Sequence, residues 1–109
     1  MTRIRVRPQA DRDIDRAADD YAHDANVDVA LRFLAAIDEA FLRLCRHPKS
    51  GSDVQKVSTR LAGLRFALVP GFESYLVFHI PSPECIEIVR ILHGARDLAP
   101  ILEEDLDGQ

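Results

Sequence analysis

Between residues 64 and 92 the chain carries three apolar, strand-like runs, 64–69, 75–80 and 85–92. They are separated only by Pro70-Gly71-Phe72-Glu73-Ser74 and Pro81-Ser82-Pro83-Glu84. Turn-length breaks between strand-like runs force consecutive hairpins, so this part reads as an antiparallel meander. In the last run Ile86, Ile88, Arg90 and Leu92 alternate with Glu87, Val89, Ile91 and His93. In the middle run Leu76, Phe78 and Ile80 alternate with Tyr75, Val77 and His79. Both faces of such a sheet are largely apolar, and both need cover.

The preceding residues supply one helical hairpin. Arg3-Ile4-Arg5-Val6-Arg7 alternates and is stopped by Pro8, which predicts a short strand with Ile4 and Val6 inward and three arginines outward. From about residue 9 to 24 the period becomes helical, with Ala10, Ile14, Ala17, Ala18 and Tyr21 on one stripe of mostly small residues. A second helix is expected over 27–46, after His23-Asp24-Ala25-Asn26. It has one stripe of Ala30, Phe33, Leu34, Ile37, Phe41, Leu44 and Cys45, and a second of Val27, Leu31, Ala35 and Leu42. Small residues on the first helix allow close approach of the second, hence an antiparallel pair. His47-Pro48-Lys49-Ser50-Gly51 ends the second helix, with His47 as a helix-end residue, and a polar loop is expected to about residue 62. A short final helix is expected over 98–105, capped by Asp97, with Pro100 in its first turn. One hairpin covers one sheet face, so the other falls to the C-terminal segment, a second copy or a partner, the final helix being too small to cover a sheet alone.

At 109 residues the chain is expected to be one domain, 1–109, of α+β class with order β-α-α-β-β-β and a short C-terminal helix. No apolar run is long enough to span a membrane, and the N-terminus lacks a signal peptide's apolar core, so a cytoplasmic protein is expected. Cys45 and Cys85 read as reduced core thiols. Net charge is −4, unevenly spread: Arg3, Arg5 and Arg7 open the chain, whereas residues 11–28 hold seven aspartates against two arginines. That balance disfavours sequence-independent nucleic-acid binding while allowing a local basic patch.

No metal-ligand spacing, phosphate loop or nucleophile elbow is visible, and neither metal nor cofactor is expected. The concentrated polar signal is Arg65, Arg90, His93 and Arg96. An arginine within a strand pattern needs a partner or solvent. Arg90 therefore either pairs with an acid, from a neighbouring strand or the C-terminal segment, or joins a cationic cluster on the open face near Gly94. His93 is a candidate general base or a turn residue, and Tyr75 either stacks on a base or fills a partner groove.

The run Glu87-Ile88-Val89-Arg90-Ile91-Leu92-His93-Gly94-Ala95-Arg96-Asp97 resembles the C-terminal hallmark of ParE toxins, in the RelE/ParE superfamily of bacterial toxin–antitoxin systems. The acidic first helix, the longer second helix ending in His-Pro, and Gly63-Leu64-Arg65 opening the meander agree in order, over about residues 3–102. The resemblance implies a toxin neutralised by a ParD-type antitoxin, which joins a ribbon-helix-helix DNA-binding half to a toxin-wrapping tail. DNA is then contacted only through the antitoxin, in a hetero-oligomer. It further implies DNA gyrase as the target and no catalysis, with His93, Arg96 and Asp97 as target-binding residues. The alternative is a RelE-like ribosome-dependent endoribonuclease, for which Arg65, Arg90 and His93 are the catalytic candidates. Absence of the terminal tyrosine after His93 and the acidic composition favour the gyrase branch. A third reading is a toxin that has lost its activity. The antitoxin tail is expected on Ile14, Ala18, Tyr21, Leu31, Leu34, Leu42, Tyr75 and Val77, with Arg65 and Arg90 at the rim.

Overall fold

A computed structural model describes residues 2–54, 63–96 and 98–107. The elements run β1 (Arg3–Val6), α1 (Pro8–Asp24), α2 (Val27–Arg46), β2 (Ser52–Asp53), β3 (Arg65–Val69), β4 (Phe72–Pro81), β5 (Cys85–His93) and α3 (Leu98–Asp107). The five strands form one open sheet in the order β1-β5-β4-β3-β2. The class is α+β, as expected, with two additions to the expected order: the two-residue β2 and a longer final helix. Asp97, the expected cap of that helix, and residues 55–62 of the expected loop lie outside the described residues.

Local chemistry sets the helix boundaries. Pro8 occupies the first turn of α1, where its missing N–H costs nothing, so a single residue, Arg7, separates strand from helix. Asn26 caps α2, its side-chain oxygen accepting from the Val29 N–H at 2.9 Å. Only Ala25 and Asn26 lie between the helices, so they fold back on each other. Ala10, Ala17 and Ala18 of α1, with Ile14, pack in one core with Phe33, Ala36, Ile37, Ala40 and Leu44 of α2 and with Val69, Val77, Ile86, Ile88 and Ile91 of the sheet.

β1 lies parallel to β5, with Ile4 opposite Ile86 and Val6 opposite Ile88, while the other pairings are antiparallel. Ile4 and Val6 pack inward as expected, but Arg7 does not project outward from a strand. It is the part-buried residue before α1, and its Nε donates to Glu87, which also accepts from Arg5 Nη2 at 2.7 Å.

Three further expectations are corrected. The first turn of the meander is only Pro70-Gly71, because Phe72 to Ser74 already belong to β4. Strict alternation fails in β5: Phe78 pairs with Arg90 and His79 with Ile88, which leaves Val89 as an extra residue. A bulge of this kind re-aims the side chains beyond it. Ile91 consequently shares a cluster with Ile86 and Ile88, while Val89 and Leu92 lie in the other. The second face is not bare either. Leu98, Ile101 and Leu102 of α3 gather there with Val54, Leu64, Phe78, Val89 and Leu92. Of the three candidates for that cover, the C-terminal helix supplies it, and the expected surplus of uncovered sheet shrinks accordingly.

Candidate functional site

The surplus that remains is on α2. The stripe Val27, Leu31, Ala35 and Leu42 recurs near one helical face, since these positions fall within about 80° of one another at 100° per residue. Val27, Leu31 and Leu42 are 64%, 58% and 50% exposed, and Ala35 is exposed too. The opposite face of α2 is used up by α1 and the sheet, so nothing within the described chain reaches this one. Exposed i,i+4 pairs flank it, Asp28–Arg32 at 3.6 Å and Glu39–Arg43 at 3.9 Å. Such pairs stabilise little, and they set two cations and two acids beside the strip, within whose sector exposed Asp38 also falls. A groove of about 410 Å³ runs from Ala40, Arg43 and Leu44 to Ser50–Ser52 and to Leu68, the fourth exposed large apolar residue.

Of the residues expected to meet an antitoxin, Leu31 and Leu42 sit on this strip. Leu34 is half-buried against the core. Ile14, Ala18 and Val77 are inside it, and Val77 is fully buried on the helix-facing side rather than on an open face. Tyr21 and Tyr75 belong to an aromatic knot with Phe33, Phe72 and His93. Its centroid separations include 5.3 Å for Tyr21–Phe33 and 5.2 Å for both Phe33–Tyr75 and Tyr75–His93. Burial raises both tyrosine pKa values; for Tyr75 the neighbouring Tyr21 and Asp20 add to it.

The expected cationic cluster is not assembled. Arg90 is paired with an acid, as one reading held, and the acid seen on it is Asp13 of α1. Its Nε and Nη2 donate to the two oxygens of Asp13, at 2.7 and 3.0 Å, with both side chains nearly buried. Asp13 also accepts from the Ile91 N–H at 3.0 Å. β1 pairing ends at Val6–Ile88, so the carboxylate takes a β5 donor that β1 no longer reaches. Arg65 reaches the other end of the sheet, donating to the carbonyls of Ser50 (3.3 Å) and Gly51 (2.7 Å). Gly51 has φ of +89°, and a Cβ there would collide with the Phe66 carbonyl. The arginine therefore clamps a tight turn that only glycine fits.

His93 lies opposite Tyr75, and its Nδ1 accepts from the Ala95 N–H at 3.1 Å. Arg65 lies opposite His79, four β4 residues or roughly 13 Å further along. With Arg65 on the turn carbonyls and Arg90 on Asp13, the three ribonuclease candidates do not converge. Arg96 is exposed beside His93, and both line a small cleft with Arg16 and Asp20.

Sequence reasoning missed Asp13, Glu87 and His79. Glu87, an acid inside an apolar strand beside three N-terminal arginines, was a readable signal. Asp13 was not, being one aspartate among seven. His79 is fully buried, and burial lowers its pKa; the Val77 and Ser50 carbonyls oppose this, and Arg65 reinforces it. Among the described residues no group of three His, Cys, Asp or Glu side chains could hold a metal ion, and no helix is long and apolar enough to cross a membrane.

An open sheet under a helical hairpin, braced by a buried Asp–Arg pair and leaving one helix face apolar, defines an α+β protein with a ParE-like fold. Among solved structures it is similar to a chain described as "Chromosomal ParDE TA system from P. aeruginosa", at a TM-score of 0.70 and 19% identity, covering 85% of this chain and 96% of that one. The model of the family described as "ParE toxin of type II toxin-antitoxin system, parDE" matches residues 4–98, so the chain belongs to the ParE toxin family. No curated protein matches it.

Proposed function

We propose that this ParE-family chain is neutralised by a ParD-type antitoxin whose amphipathic tail lies on the exposed strip of α2, and that the free toxin inhibits DNA gyrase by binding alone. The observation that carries the antitoxin reading is the strip itself, apolar at Val27, Leu31, Ala35 and Leu42 and left uncovered by the fold. An amphipathic helix recognises such a row through anchors at helical spacing. The nearby charges, Arg32 and Arg43 together with Asp28, Asp38 and Glu39, tune on-rate and partner choice more than net affinity. The reading retains Leu31, Leu42 and the edge residue Leu34 as contacts. It gives Ile14, Ala18 and Val77 a role beneath the surface, and Tyr21 and Tyr75 one at its margin. His93, Arg96 and Asp97 are the proposed target contacts.

Non-catalytic inhibition is supported by the separate engagement of Arg65 and Arg90. Purified toxin added to a gyrase supercoiling reaction should block it or trap cleaved DNA, and the antitoxin should relieve the effect. Ribosome-dependent cuts in mapped message ends, abolished by Arg65→Ala, would replace gyrase with the ribosome as target.

A further inference from the structure

The surface left over by the reading above is the outer edge of β1. In a parallel pairing, alternate residues turn their backbone groups toward the neighbouring strand. The Arg7 N–H donates to the Ile88 carbonyl at 3.0 Å, whereas the Thr2 N–H points the other way, to the Cys45 carbonyl at 3.2 Å. By that alternation the N–H and C=O groups of Ile4 and Val6 face outward, where no described residue pairs with them. Two clefts adjoin this edge, of about 690 Å³ beside Arg3, Arg5 and Glu84, and about 440 Å³ beside Arg7 and Arg12. Arg3 and Arg5 are exposed, and Glu87 is already engaged by Arg5 and Arg7. The edge is thus positive in a chain whose net charge is −4.

We infer that the β1 edge accepts an extended acidic segment of a partner protein as a sixth strand. Strand addition draws affinity from main-chain pairing and specificity from alternate side chains. Here the pairing groups are those of Ile4 and Val6, and the side chains that select are Arg3 and Arg5. A second copy is disfavoured, because antiparallel pairing of two β1 edges sets arginines against arginines. Arginine on an exposed edge guards against that self-pairing while admitting an acidic strand. A nucleic acid would meet the charge but leave the ladder unused. The inference does not rest on the antitoxin reading, since it concerns a sheet edge and not the α2 strip.

The test uses the whole chain and a fluorescein-labelled octapeptide alternating Glu and Val, read by anisotropy. A Lys–Val octapeptide and a single-stranded oligothymidylate serve as rivals. The acidic peptide should bind, about tenfold more weakly to Arg3→Glu at low salt. Val6→Pro removes an outward donor without touching the β1–β5 ladder and should weaken binding similarly. Amide exchange at Ile4 and Val6 should slow when the peptide is bound. The exchange and Arg3→Glu arms stand even if Val6→Pro fails to fold. The inference is overturned by no binding of the acidic peptide, by equal binding of the lysine peptide, by preference for the oligothymidylate, or by unchanged exchange at both amides. None of these outcomes bears on gyrase or on Leu31.

Discussion

On α2, the inward row of Ala30, Phe33, Ile37 and Leu44 is at most 6% exposed, while the outward row of Val27, Leu31 and Leu42 is at least half exposed. The two rows share one helix, one N-cap and similar residue types. What separates them is supply: α1 and the sheet present one surface for α2 to bury, and the inward row takes it. Full burial of a large aliphatic side chain is worth roughly 1.5–3 kcal/mol, so the outward row leaves several kcal/mol unclaimed within the fold. A partner lying along it recovers that amount. In this molecule, hydrophobicity in the sequence marks the potential for burial, and topology decides whether the fold or a complex realises it.

The contrast is easiest to break with a buried carboxylate. Val77→Glu puts an ionised group into the helix-facing core and should abolish cooperative folding, seen as loss of a thermal transition by circular dichroism. A residue on an antitoxin-facing surface, where the sequence alone put Val77, would tolerate the change; its full burial reverses that expectation. Phe33→Ala should cost about 3–5 kcal/mol in urea unfolding, because it empties the centre of the inward row and of the aromatic knot. Asp13→Ala should cost about 3 kcal/mol or more, as it removes the acceptor of two Arg90 hydrogen bonds and of the Ile91 N–H. A loss under 1 kcal/mol would mean that water replaces the carboxylate.

Acid sharpens the picture at the other end of the sheet. The pKa of His79 is lowered by burial, so the folded state favours the neutral ring more than the unfolded chain does, whose value is 6.5. Its contribution is full above 6.5 and declines as pH falls below that value toward the folded pKa. Urea midpoints at pH 7.5 and 5.5 should therefore differ for the native chain and converge for His79→Gln. The smallest effect on stability belongs to Leu31→Glu, within about 0.5 kcal/mol, because the site is on the surface. The same variant should weaken antitoxin binding at least about tenfold by titration calorimetry if the α2 strip is the docking face.

Much of this fold was legible in local pattern. The span of α2, the three meander strands, the small-residue face of α1 and the idle stripe of α2 all follow from periodicities of 3.6 and 2, together with Pro and Asn at the boundaries. β2 was not legible, because two polar residues carry no period. The β5 bulge was hidden for a related reason: Val89, Ile91 and Leu92 are apolar alike, so their order gives no clue where alternation slips. The whole α2 strip was visible in its period. Burial of Ile14, Ala18 and Val77 was not, because it depends on what packs above them.

The amino-acid order alone determined the class of fold, the hairpin of helices, the family resemblance in Arg90 to Asp97, and a surplus of apolar helix surface. Only the tertiary structure decided that β1 joins β5 in parallel, that α3 closes the second face of the sheet, and that Arg90 is held by one particular aspartate of α1. Periodicity is a local property, set by the geometry of a few successive residues. Partnership depends on which distant segment the fold brings alongside, and residues 77 positions apart, as Asp13 and Arg90 are, leave no local trace of having met.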